Sequence, residues 1–281
     1  MRIIVIGAKG MLGQDMVEAC SAAGMDPVGL DLPEFDITEF SNLDRDMPMG
    51  EWVVNCAAYT RVDDAERDRE TAFKVNYEGV RSVARVCAKR NQRLIHLSTD
   101  YVFDGRAMRP YEENDRTNPL NVYGASKLAG EKALRAEGVP FLIVRAQSLF
   151  GKHGSNFVRS IASKLKENDE PLRVVKDQVS SPTYTRHLAQ ALIHLMQAGA
   201  DGVVHVSATG SCSWYDFAMA IAARLKPEHP ITPITARELN RPAQRPPHAV
   251  LSNKRYASWT GQVMPEWEEG LSAYLKEEQL V

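Results

Sequence analysis

The sequence is short of the features that mark a special environment. Its four cysteines (Cys20, Cys56, Cys87 and Cys212) form no CxxC pair and no metal-ligand spacing, which argues against a disulfide framework or a zinc site. The seven histidines are equally scattered, so no metal is expected. Net charge is nearly absent: 34 Lys and Arg against 36 Asp and Glu leave −2. That balance argues against a general binder of nucleic acid or membrane surface. The first apolar run, Ile3 to Ile6, stops at Gly7, too short for a signal peptide or a spanning helix. There is no low-complexity linker and no internal repeat. What is present is 281 residues, 44% of them hydrophobic, enough to bury a sizeable core as one large domain or two modest ones. The expectation is a soluble, cytoplasmic protein of a reducing compartment.

Short β-branched runs alternate with helical stretches in the first half. Strands are read at Arg2–Ile6, Pro27–Leu30, Glu51–Asn55, Leu94–Ser98 and Phe141–Arg145. Helices are read at Met11–Ala23, from about Thr71 to Arg90, and at Val122–Glu137, the last closed by Gly138 and Pro140. Near-continuous apolar strands alternating with helices predict an α/β fold, a Rossmann-type doubly wound parallel sheet covered on both faces. Beyond about residue 150 the rhythm loosens. Helices fit Asn156–Lys166, Thr185–Met196, Trp214–Leu225 and Glu266–Lys276, with a late strand at Gly202–Val206. Three prolines make Arg241–Pro247 a loop. The expected division is a dinucleotide-binding domain over 1–150 and a smaller, mainly substrate-binding lobe over 151–281, some of whose segments return to the first domain.

The turn Gly7-Ala-Lys-Gly10-Met-Leu-Gly13 follows the first strand and opens the first helix. Gly7 permits the tight turn, Gly10 lets the backbone approach a pyrophosphate, and Gly13 allows close helix–strand packing. The helix start offers free N–H groups and a positive dipole end to phosphates. A plain strand-to-helix turn is the competing explanation; the strand, the helix and the third glycine in register favour the cofactor site. Asp31 closes the second strand, where a carboxylate accepts both ribose hydroxyls of an adenosine and repels a 2′-phosphate. That charge logic favours NADH over NADPH. Asp36-Ile37-Thr38 follows; it either flanks the adenine or supplies an ordinary helix N-cap.

Tyr123 and Lys127 stand at i and i+4 on one helix face. Alone, that pair is commonplace. It gains meaning from Ser98-Thr99 at the carboxyl end of the fourth strand, where α/β sheets hold their ligands. A ketone receiving hydride develops alkoxide character and needs a proton. A phenol with an ordinary pKa of about 10 gives one up reluctantly, and a nearby ammonium lowers that value. Thr99 would hydrogen-bond the same oxygen as its charge grows. A cofactor-binding regulatory subunit, the rival reading, has no need of Thr99, Tyr123 and Lys127 together.

These motifs resemble the extended short-chain dehydrogenase/reductase family, and within it the dTDP-4-dehydrorhamnose reductases. The similar stretches are Val54-Asn-Cys-Ala-Ala-Tyr-Thr60 with Val62-Asp63, Ser98-Thr-Asp-Tyr-Val-Phe-Asp-Gly105, and Asn118-Pro119 followed by Tyr123-Gly. Further along come Asp177-Gln178, Ser181-Pro-Thr183, Ser211-Cys-Ser-Trp-Tyr215 and Arg241-Pro-Ala-Gln-Arg-Pro246, so the likeness runs almost end to end. The resemblance implies that Gly10, Met11 and Leu12 touch the pyrophosphate and that Asp31, Asp36 and Ile37 contact the adenosine. It implies that Ala57, Ala58 and Tyr59 line the cofactor groove. Tyr123 and Lys127 would serve cofactor and catalysis, and Thr99, Asp100 and Tyr101 would reach the sugar. The implied reaction reduces the C4 ketone of a nucleotide-linked 4-keto-6-deoxy sugar, most simply dTDP-4-dehydro-β-L-rhamnose, with NADH preferred and NADPH as the second cofactor. A sibling reductase of another nucleotide sugar is the alternative; a homodimer is compatible with the sequence. One departure stands out. Where the family commonly carries a tryptophan after the fifth strand, this chain reads Arg145-Ala-Gln-Ser148, so an aromatic wall of the sugar pocket is missing or supplied elsewhere.

Three further groups have two readings each. Arg241, Arg245 and Lys254 either bind a diphosphate or are solubilising charge. Trp214 and Tyr215 are expected to pack between lobes rather than stack on a base. The mixed charges from Asp63 to Glu70 read as a solvated helix start, and His96 as a buried, satisfied histidine.

Overall fold

The computed structural model describes every residue except Asn168. Its centre is a parallel sheet of six strands: β1 (Arg2–Ile6), β2 (Asp26–Leu30), β3 (Trp52–Asn55), β4 (Arg93–Thr99), β5 (Phe141–Ala146) and β6 (Gly202–His205). In space they run β2-β1-β3-β4-β5-β6. Ile3, Ile4, Val5 and Ile6 are all buried, which explains the unbroken apolar run: a central parallel strand has no solvent face. Each such side chain contributes about 1.5–3 kcal/mol on burial.

Helices cover both faces. α1 (Met11–Ala22) packs through Leu12, Met16 and Cys20 against one face. The other face carries α2 (Val80–Lys89) and α3 (Val122–Ala136), through Val80, Val83, Val86, Cys87 and Leu134. The order of strands reverses between β1 and β3. Ligands of such sheets bind beyond the carboxyl ends at that switch point, and the glycine turn sits there.

One expected helix is interrupted. The stretch from Thr71 to Arg90 is a short helix Arg69–Phe73, a π-helical segment Lys74–Gly79, and then α2. The widened turn carries the buried Asn76, whose amide accepts from Tyr59 N–H at 2.9 Å and donates to Tyr59 C=O at 3.0 Å and to Ser126 Oγ at 2.9 Å. Helical periodicity does not register one inserted residue, and such π-turns gather at functional sites.

The second half is shared between two places. α4 (Phe157–Glu167), α6 (Trp214–Leu225) and α7 (Trp267–Glu277) bury Phe150, Ile161, Phe217, Leu271 and Tyr274 in a core of their own. By contrast α5 (Thr185–Gln197) packs its Leu188, Leu192 and Leu195 into the core of the main sheet beside α1, and β6 extends that sheet next to β5. Among the described residues, no helix is long and apolar enough to cross a membrane, and no cluster of three His, Cys, Asp or Glu side chains could hold a metal ion.

Candidate active site

The glycine turn owes its shape to two positions where no side chain fits. Gly7 has φ +79, and a Cβ there would lie 2.7 Å from Ala57 N; at Gly13 it would lie 2.0 Å from the Gly7 carbonyl oxygen. Gly10 caps α1 with extended backbone and no side-chain cap, and no acidic residue stands in the helix's first turn. The amides of Met11, Leu12 and Gly13 therefore face outward as unclaimed donors beside Ala57, which approaches from the end of β3. A dinucleotide pyrophosphate fits this bare, electropositive cradle.

Asp31 accepts from Lys9 N–H at 2.6 Å and from Leu32 N–H at 2.7 Å, so its carboxylate also braces the turn. Lys9 reaches past it to the Leu32 carbonyl and to Glu34, at 2.7 and 3.0 Å. Asp36 accepts from Thr38 N–H at 2.8 Å, and Ile37 is buried against Gly79. The backbone of Tyr59 is held by Asn76, and its ring packs with Ala65 and Ala72.

Tyr123 lies beside Thr99, and Lys127, one helical turn on, is buried with its Nζ on the Leu97 carbonyl near the end of β4, the strand that carries Thr99. Asn121 caps α3 by accepting from Gly124 N–H at 2.7 Å. At Gly124 a Cβ would strike the Tyr101 carbonyl oxygen at 2.2 Å, so glycine lets the helix start press against the turn after β4. That contact sets the Tyr123 phenol near Thr99. Thr99 Oγ1 donates to Asp100 at 3.0 Å and accepts from Tyr101 N–H at 3.1 Å. Tyr101 meets the Tyr123 ring edge-on at 5.7 Å.

The electrostatics correct one expectation. Lys127 was expected to lower the phenol's pKa. Instead burial, aided by the Asp100 carboxylate, raises Tyr123 above the ordinary range of a phenol. Lys127 is buried and donates to the Leu97 carbonyl at 2.6 Å; desolvation pulls it down to about 8. Burial also pushes Asp100 up to about 7.

A narrow cleft opens beside this group, lined by Asp100, Tyr101, Ser148, Gln178, Trp214 and Arg245. Two expectations change here. Trp214 does pack on Phe157, at 4.7 Å between ring centroids, yet it also lines the cleft, as Ser148 does, and gives it an aromatic wall. Arg245 is not free: it makes two bonds of 2.9 Å to Asp63, which also receives Arg241 at 3.4 Å. Asp63 is therefore no solvated helix start. Lys254 pairs with Glu112 outside the cleft lining, so the three basic residues do not form one patch.

Comparison with known proteins agrees with this geometry. The family model described as RmlD substrate binding domain matches residues 1–280. The chain belongs to this family. A dTDP-4-dehydrorhamnose reductase of Mycolicibacterium smegmatis is 39% identical over 96% of this chain and 84% of its own. A dTDP-4-keto-6-deoxy-D-glucose reductase of Streptomyces niveus is 40% identical over 90% of this chain and 88% of its own. Among solved structures, a dTDP-4-dehydrorhamnose reductase from Bacillus anthracis in complex with NADP superimposes with a TM-score of 0.93, at 36% identity over 98% of this chain and 99% of that one.

Within this RmlD-type chain, neither Trp214's place in the cleft nor the Asp63–Arg245 pair carries a local sequence signal. The second joins residues 182 positions apart. A charged residue in a proline-held loop was the one available hint.

Proposed function

We propose that this chain is an NAD(P)H-dependent reductase of a dTDP-linked 4-keto-6-deoxy sugar, with dTDP-4-dehydro-β-L-rhamnose reduced to dTDP-β-L-rhamnose as the first candidate reaction. The observation that supports the reading is Tyr123 beside Thr99, with the buried Lys127 one turn on in the same helix, next to a cleft that holds a tryptophan and an arginine, in a chain that also carries an uncapped glycine cradle.

The nicotinamide cofactor, when bound, supplies the hydride. Gly10, Met11 and Leu12 hold its pyrophosphate, Asp31 and the Asp36–Ile37 turn its adenosine, and Lys127 its nearer ribose. NADH is the preferred form, since the Asp31 carboxylate at the end of β2 would repel a 2′-phosphate there; NADPH is the second cofactor. Tyr123 holds the proton delivered to the C4 oxygen. Its raised pKa keeps the phenol protonated at neutral pH, and the much more basic incipient alkoxide supplies the driving force. Thr99 turns its hydroxyl from Asp100 to that oxygen as charge develops. The loop around Arg245 and residues from 151 onward form the greater part of the sugar-nucleotide side, with Arg245 on the diphosphate and Trp214 walling the pocket.

The test is oxidation of NADH and NADPH assayed against dTDP-, UDP- and GDP-linked 4-keto sugars. Turnover of the dTDP-linked rhamnose precursor is expected. Turnover only of another nucleotide sugar would assign the sibling activity, and none with any would assign a regulatory cofactor-binding role.

A further inference from the structure

Beside Lys127 lies a pair of buried polar side chains that the proposed reduction itself does not use. Asn55 ends β3 and His96 lies opposite it in register on β4; both are fully buried. The Asn55 amide is oriented by its surroundings: Oδ1 accepts from Ala57 N–H at 3.1 Å, so the NH₂ group faces His96 Nδ1 at 3.4 Å. An amide NH₂ group only donates, which makes Nδ1 the acceptor and puts the ring's proton on Nε2. The ring is neutral, since burial and the neighbouring Lys127 hold its pKa well below the ordinary histidine value.

His96 Nε2 lies 3.5 Å from Lys127 Nζ. An N–H aimed at an ammonium finds no acceptor there. Aimed at an uncharged amine, it finds a lone pair. The other groups facing Lys127 pull the opposite way or are already engaged. Glu131 on α3 favours the ammonium but is bonded to Ser98 and Arg145, and Cys56 after β3 is a neutral thiol pushed up to about 12. The Leu97 carbonyl takes one N–H in either state.

We propose that His96, fixed by Asn55 as the Nε2–H tautomer, is a positioning residue that orients Lys127 and favours its uncharged form in the cofactor-free protein. The inference rests on Lys127 being part of the reductase's cofactor site. Its consequence is an alkaline limit to turnover set by the Asn55–His96 pair as well as by burial.

The experiment uses the full-length, cofactor-free chain labelled with ¹⁵N on histidine and ¹³C on lysine. Long-range ¹H–¹⁵N spectra are expected to show His96 protonated at Nε2 and bare at Nδ1 from pH 6 to 9. In His96→Gln the amide oxygen can turn to the ammonium, and in Asn55→Leu the ring can change tautomer. Both should move the Lys127 titration midpoint up by about one pH unit, a tenfold change in proton affinity, and the alkaline limb of kcat with it. A proton on Nδ1 in the parent overturns the proposal, as does an unmoved Lys127 midpoint in either folded variant. If neither variant folds, the parent's tautomer decides alone. The spectra need no turnover, so failure of the reductase reading would show separately, in the sugar-nucleotide assay.

Discussion

Arg245 and Asp63 form a two-pronged ion pair, with both N–H···O distances 2.9 Å, between the proline-rich loop and the segment after β3. The guanidinium is largely buried and also borders the cleft. Asp63 therefore holds a cation at the edge of the cleft, on the side proposed for a sugar nucleotide's diphosphate. Arg245→Ala is expected to raise KM for the sugar nucleotide ten- to hundredfold, about 1.5–3 kcal/mol for a charge-assisted bond, while NADH affinity stays near the parent's. Asp63→Asn should raise KM by a smaller factor, because Arg245 keeps its bond to the Ala243 carbonyl. Initial-rate kinetics on both variants check this. Unchanged KM in Arg245→Ala would make the pair purely structural.

Tyr123→Phe keeps the ring that Tyr101 meets edge-on and removes the proton. Binding of cofactor and sugar should survive. General acid catalysis contributes typically 10²–10⁴-fold, so kcat is expected to fall at least about a hundredfold. Near-normal kcat would move the acid role to another group.

Asp31→Ala removes the brace on Lys9 and Leu32 and, in the proposed cofactor pose, a ribose acceptor and a charge opposed to a 2′-phosphate. The last two losses predict that NADH weakens more than NADPH. The first predicts a loss common to both cofactors. Titrating each into mutant and parent separates them: an unchanged NADH/NADPH affinity ratio would reduce Asp31 to the brace alone.

Much of the fold was legible because its signals are local. Ile3 to Ile6 is apolar at every position, as a strand buried on both faces requires, and Gly7, Gly10 and Gly13 mark a turn whose geometry excludes side chains. Tyr123 and Lys127 are one helical turn apart, so their common face follows from the spacing. What stayed hidden depends on distant chain segments meeting. Glu131 and Arg145 form a buried ion pair at 2.7 Å, but each looks like ordinary surface charge in its own stretch. The π-helical turn at Asn76 leaves the apolar rhythm almost unchanged while shifting the hydrogen-bond ladder. The raised pKa of Tyr123 was missed for a related reason. Sequence spacing shows which cation shares a helix face with a phenol but not how much water both have lost.

Asp100 makes that last point measurable in stability. Its carboxyl is buried and raised to about 7, desolvation outweighing the bond from Thr99 and those from backbone N–H groups. In the unfolded chain the same group titrates near 3.9. Between these values the folded state holds a proton that the unfolded state has released, so this group's contribution falls as pH rises from about 4 to about 7 and is least favourable above that. Asp100→Asn keeps the shape and cannot ionise. The variant's urea midpoint, relative to the parent's, is expected to be higher at pH 8 than at pH 5. The difference should level off above pH 8, where the parent's Asp100 is already charged in both states. A mutant–parent difference that does not change with pH would mean that Asp100 stays ionised in the folded protein. Thr99 would then be holding a carboxylate beside Tyr123, and the phenol's raised pKa would owe more to that charge than to lost water.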